Sequence, residues 1–102
     1  MSALQPFNPR WGSNQLLTAN GTSANATLSG YTKQIHIENT GTTNPVYVRC
    51  YLYANGVTDA TTADFRISPG IIEVITKTQD FDRMSYISAS GTTLEIIEGE
   101  GW

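Results

Sequence analysis

The sequence predicts an all-β protein: a single small antiparallel β-sandwich, jelly-roll-like, of about seven or eight short strands with an extended N-terminal arm. Three observations carry this expectation. The apolar residues alternate with the period of a strand and not that of a helix. Clusters of Gly, Asn, Pro and Ser interrupt the alternation at roughly ten-residue spacing, as turns require. Charged residues make up only 15% of the chain, and Thr, which suits half-exposed strand positions, takes part of their place.

Taken in order, residues 1–14, "MSALQPFNPRWGSN", contain two prolines and the large side chains of Phe7, Arg10 and Trp11 without alternation. They read as the arm, and residues 15–102 as the sandwich. "NQLLTAN" and "NATLS" are weakly patterned strands. "KQIHIEN" sets Ile35 and Ile37 on one face and Gln34, His36 and Glu38 on the other. "PVYVRCYLY" is the clearest strand, with Val46, Val48, Cys50 and Leu52 opposed to Tyr47, Arg49, Tyr51 and Tyr53. "ADFRI" is weak; "GIIEVIT", "RMSYISA" and "TTLEIIE" are strong. "SPG" between Ile67 and Ile71 suits a tight turn, with Pro69 first and Gly70 able to take positive φ. The tail "EGEGW" ends on Trp102, a large apolar group where chains usually fray.

The length of 102 residues allows one modest core. The net charge is −3 and the six basic residues are scattered, so no basic stripe exists to neutralise phosphates, and neither nucleic acid nor an anionic membrane is an expected partner. No apolar run approaches a membrane span. The start lacks the basic and apolar regions of a secretory leader. One cysteine, Cys50, cannot form an intramolecular disulfide, which fits synthesis in a reducing cytoplasm.

Catalytic chemistry finds little support, and no enzyme, cofactor or metal is expected. His36 is the only histidine and sits mid-strand between core isoleucines, as a surface histidine does. Cys50 lies on an apolar face, where a thiol is inert. Asp80 and Asp82 have the spacing of a calcium loop but not its further oxygen ligands. Glu98 and Glu100 are expected in a flexible tail, a poor setting for acid–base work.

The anomaly is surplus apolar surface. The row Tyr47, Arg49, Tyr51 and Tyr53 opposes a row that already fills a core. If Ile72 and Val74 point inward, Ile71 and Ile75 point outward; Leu94 and Ile96 inward leave Ile97 outside. Tyr and Arg are enriched at interfaces. Either the arm covers these rows, or both faces of one sheet are buried, or they meet another protein. Phe7, Arg10, Trp11 and Trp102 are candidate anchors on the same reasoning, with the four-residue tyrosine–arginine row as a second surface.

One resemblance adds to this reading. Thr61, Thr62, Asp64, Ile67, Pro69, Gly70, Glu73 and Val74 form one pattern, and Ser88 to Thr92, Leu94 and Gly99 to Gly101 a second. With Asn39 to Gly41 and Val48 to Arg49, these resemble the segments of a family of small tailed-bacteriophage virion proteins with an "ASGTxxLxxxxGEG" ending. The resemblance covers roughly residues 33–102. It departs at "RCYLYANG" and "KTQDFDR" and does not reach the arm. It implies a β-sandwich structural protein of the phage particle, a capsid decoration (cement) protein on the virion's outer surface. The implied partners are the major capsid protein and further copies of itself, as a homo-oligomer (dimer or trimer). A neck, tail or head-fibre component and a carbohydrate-binding sandwich are the alternatives.

Overall fold

A computed structural model describes residues 7–100. Among them are nine strands and no α-helix: β1 (Asn8–Pro9), β2 (Gln15–Ala19), β3 (Ala24–Thr27), β4 (Gln34–Asn39), β5 (Val46–Tyr51), β6 (Phe65–Ile67), β7 (Ile72–Thr76), β8 (Arg83–Ile87) and β9 (Thr92–Glu100). No helix is long and apolar enough to cross a membrane. Every pairing is antiparallel. From β2 onward the chain is one long hairpin rolled up: β2 pairs β9, β3 pairs β8, β4 pairs β7 and β5 pairs β6. Rolling joins alternate pairs, so one sheet runs β2-β9-β4-β7 and the other β3-β8-β5-β6. That order is the jelly roll the sequence predicts.

The inner faces meet in one core. Ile35, Ile37, Leu94 and Ile96 come from the first sheet, and Val46, Val48, Ile67 and Met84 from the second, all essentially inaccessible. Ile97 lies on the outer face, as expected. The phase of β7 is the reverse of the expected one: Ile75 packs on the core, while Ile72 is exposed. Both faces of "IIEVIT" are apolar, so alternation alone could not choose. The register does, because Ile75 lies opposite Ile35 and Glu73 opposite Ile37.

One end of the sandwich is locked by polar groups. Asn39, fully buried, donates through Nδ2 to the carbonyls of Asn44 (2.9 Å) and Ile67 (3.1 Å). Its Oδ1 accepts from Gly41 N–H (3.1 Å) and Thr92 Oγ1 (2.8 Å). A Cβ at Gly41 would collide with the Thr92 side chain. The "NTGT" and "SGTT" segments therefore interlock across the fold.

Candidate interaction surfaces

At the opposite end, β1 and β2 run along β9 as a single interrupted strand. Pro9 faces Gly99 and Gln15 faces Ile96, so part of the intervening chain must loop out. The loop is pinned at its base. Arg10 N–H donates to the Glu98 carbonyl (2.7 Å), and Ser13 N–H (3.1 Å) and Ser13 Oγ (2.7 Å) both donate to the Arg10 carbonyl. Glu98 N–H donates to Ser13 Oγ (3.2 Å), and Asn14 Nδ2 to Glu95 Oε2 (2.8 Å). Gly12, at φ 87°, supplies the left-handed residue the turn needs. Trp11 at the tip is 86% exposed.

Phe7 is used differently. Its ring lies over Gly99, where an added Cβ would sit 2.7 Å from it, and 5.7 Å from the His36 ring. Gly99 thus serves as a seat for the arm. Glu98 and Glu100 belong to β9 and not to the flexible tail expected of them. Of the sequence-predicted anchors, Phe7 is half-buried within the chain and Arg10 and Trp11 are exposed. Trp102 lies outside the described residues.

Sequence patterning missed a second exposed aromatic near the Trp11 loop. Tyr31 is 76% exposed on the turn joining β3 to β4. No periodicity marks a turn residue; only its size in "SGYT" could have drawn notice. This turn is clamped from inside. Glu98 Oε1 accepts from Ser29 N–H (2.8 Å) and Thr32 Oγ1 (2.7 Å). Lys77 Nζ donates to the carbonyls of Ser29 (3.3 Å) and Gln79 (2.9 Å). The backbone of Ser29 is thereby held on both sides, its N–H by a buried acid and its carbonyl by a buried lysine. Burial pulls the Lys77 pKa down, and the Glu98 carboxylate pushes it back up. A groove of about 470 Å³ separates this turn from the Trp11 loop, lined by Arg10, Gly12, Ser13, Ser29, Tyr31 and Glu98 among others.

The tyrosine row does not form a continuous outward surface. The connection from Leu52 to Asp64 folds back over it. Tyr51 is only 6% exposed and donates through its hydroxyl to Asn25 Oδ1 (2.6 Å). Arg49 Nε donates to Asp64 Oδ1 (2.8 Å), and Ala60, also buried, donates its N–H to Ser23 Oγ (2.9 Å). Tyr53 leaves the row in a short 3-10 turn (Tyr53–Asn55), where the Arg83 guanidinium lies 4.6 Å from its ring centre. Tyr47 is half-buried. The row is covered only in part: Tyr51 is buried and Tyr47 half-buried, while Arg49 and Tyr53 stay about half exposed.

Among the described residues no three His, Cys, Asp or Glu side chains converge on a point that could hold a metal. Burial pushes the Cys50 thiol up to about 11, the direction opposite to that of a nucleophilic thiolate. Further apolar exposure lies at Leu16 on β2, at Val57 in the connection, and between β6 and β7. There Phe65, Ile71 and Ile72 are exposed beside a groove of about 510 Å³ lined by Cys50, Val74, Ile75 and Phe81 among others. No protein-family model and no curated protein matches the chain.

Proposed function

We propose that this chain is a structural virion protein of a tailed bacteriophage, a capsid decoration (cement) protein that binds the outside of the head shell and stabilises it. The observation that carries the reading is the Trp11 loop. It holds an 86% exposed tryptophan on a base of hydrogen bonds to β9, beside Arg10 and across a groove from Tyr31. Trp, Tyr and Arg are the residue types that dominate binding energy at interfaces. A loop already ordered before binding loses little entropy on docking. Many copies on one shell gain avidity from weak single contacts. Binding the assembled shell and not its separated subunits shifts the equilibrium away from disassembly.

The expected partners are the major capsid protein and further copies of this chain. The sugar-binding reading loses support from the burial of Tyr51, which offers no face for stacking. A neck, tail or head-fibre location is distinguished by copy number, since decoration requires many copies per particle. The direct test is co-sedimentation with mature shells. Wild-type protein is expected to pellet with shells at micromolar concentration. Trp11→Ala should weaken binding by about 2 kcal/mol, some thirtyfold, with an unchanged melting curve. Failure to bind shells, or binding to tail tubes alone, overturns the reading.

A further inference from the structure

The two sheets have four edges, and three are blunted in ways that discourage strand pairing. The β1–β2 edge is broken by the Arg10–Asn14 excursion. β3 is four residues long and polar at Asn25 and Thr27. β6 is three residues long, carries Arg66, and is followed by Pro69. β7 is the least blunted of the four: it is unbroken and five residues long, and its one charge is Glu73. Its five residues, Ile-Glu-Val-Ile-Thr, contain no proline, no lysine and no arginine, and Ile72 is 52% exposed. No described strand pairs its outer edge.

The hydrogen-bond phase of β7 is fixed at both ends. Asn39 N–H donates to the Ile71 carbonyl (3.0 Å), and Lys77 N–H donates to the Lys33 carbonyl (2.7 Å). Backbone groups alternate sides along an antiparallel strand. Ile71, Glu73, Ile75 and Lys77 therefore bond towards β4, and Ile72, Val74 and Thr76 turn their N–H and C=O groups to the open edge. An exposed row of this kind is a template for another strand.

We propose that β7 pairs antiparallel with β7 of a second copy of this chain, about a two-fold axis at Val74, joining the two sheets edge to edge. The strand is self-complementary in this one register. Val74 meets Val74, Ile72 meets Thr76, and every outward backbone group on both strands finds a partner. Glu73 then lies opposite Ile75 of the second copy. A two-fold at Glu73 would set two carboxylates face to face, which is destabilising, and would leave Thr76 unpaired. A two-fold at Ile75 would leave Ile72 unpaired. The charge and hydrogen-bond criteria select the same register, and a two-fold contact presents the same patch on both partners.

The proposal does not depend on the shell reading, because self-association is measured without shells. Light scattering and sedimentation of the full chain, from micromolar towards millimolar concentration, should show a dimer. Val74→Pro removes an N–H that points away from β4, so the monomer keeps its fold and dimerisation should weaken at least a hundredfold. Val74→Lys and Val74→Glu each place like charges together on the axis and should be monomeric, with wild-type circular dichroism. Mixing these two variants should restore the dimer, since each Lys then meets a Glu. Three results would overturn the proposal: a wild-type chain that stays monomeric throughout, a Val74→Pro chain that dimerises as wild type does, or a Lys–Glu mixture of folded chains that stays monomeric.

Discussion

Asn39 shows what two turn segments do in the fold. "NTGT" and "SGTT" contain no chemistry of a reaction. In the fold they meet, and Asn39 bonds the backbone of Asn44, Ile67 and Gly41 and the hydroxyl of Thr92. A buried polar group is tolerated when it is satisfied, and becomes costly when one partner is removed. Asn39→Asp keeps the shape and turns a two-fold donor into an anion facing two carbonyls. It should cost at least about 2 kcal/mol in urea unfolding. Asn39→Ala should cost a comparable amount by leaving Gly41 N–H and Thr92 Oγ1 unpaired. If Asn39→Asp unfolds at the wild-type midpoint, the network contributes nothing and the lock is decorative. Gly99 teaches the same lesson. In the sequence it was only part of the "GEG" ending; in the fold it is the flat place on which the Phe7 ring lies.

Among the elements, the strands were legible because one apolar face and one polar face leave a period-two record. β4, β5 and β9 fall where the alternation put them. β7 was placed but phased wrongly, because it is apolar on both faces and only its register against β4 decides. The Leu52–Asp64 connection was legible as a loop and nothing more. Its docking on the sandwich rests on contacts such as Arg49–Asp64 and Ala60–Ser23, and an aperiodic segment leaves no signal of its resting place. Asp64 is the anchor of that docking. Its Oδ1 accepts from Arg49 and its Oδ2 from Thr61 N–H (2.8 Å), with the side chain only 8% exposed. Asp64→Ala should cost about 1–2 kcal/mol and raise amide exchange across 52–64 while that of β5 and β8 stays slow. Exchange unchanged in the connection would show that the packing of Ala60 and Tyr51 suffices to hold it.

At the scale of the whole molecule, rolling the hairpin brings ionisable groups from distant strands under one roof, and their shifts have mostly one sign. Burial raises the pKa of Tyr51 and Tyr86 and that of Cys50, from 9.0 to about 11, with nearby Lys77 opposing part of the rise at Cys50. Each of these groups keeps its proton in the fold beyond the pH at which the unfolded chain loses it. Their contribution to stability is complete below their unfolded pKa values and disappears as pH rises through the folded ones. Lys77 acts in the opposite sense. Its folded pKa lies below 10.5, so the fold releases that proton first, and stability gains as pH rises through this window. The large rise at Cys50, in the same direction as the two tyrosines, predicts a net loss of stability from about pH 9 to 11. Urea midpoints measured across that range should fall for the wild type and fall less steeply for Cys50→Ala. They should fall more steeply for Lys77→Met, which removes the opposing proton release. The slopes decide the matter, because both substitutions also lower stability at neutral pH by disturbing packing. Parallel slopes in all three proteins would mean that the buried thiol and lysine titrate as they do in the unfolded chain, and that the rolled sandwich is wetter inside than its packing indicates.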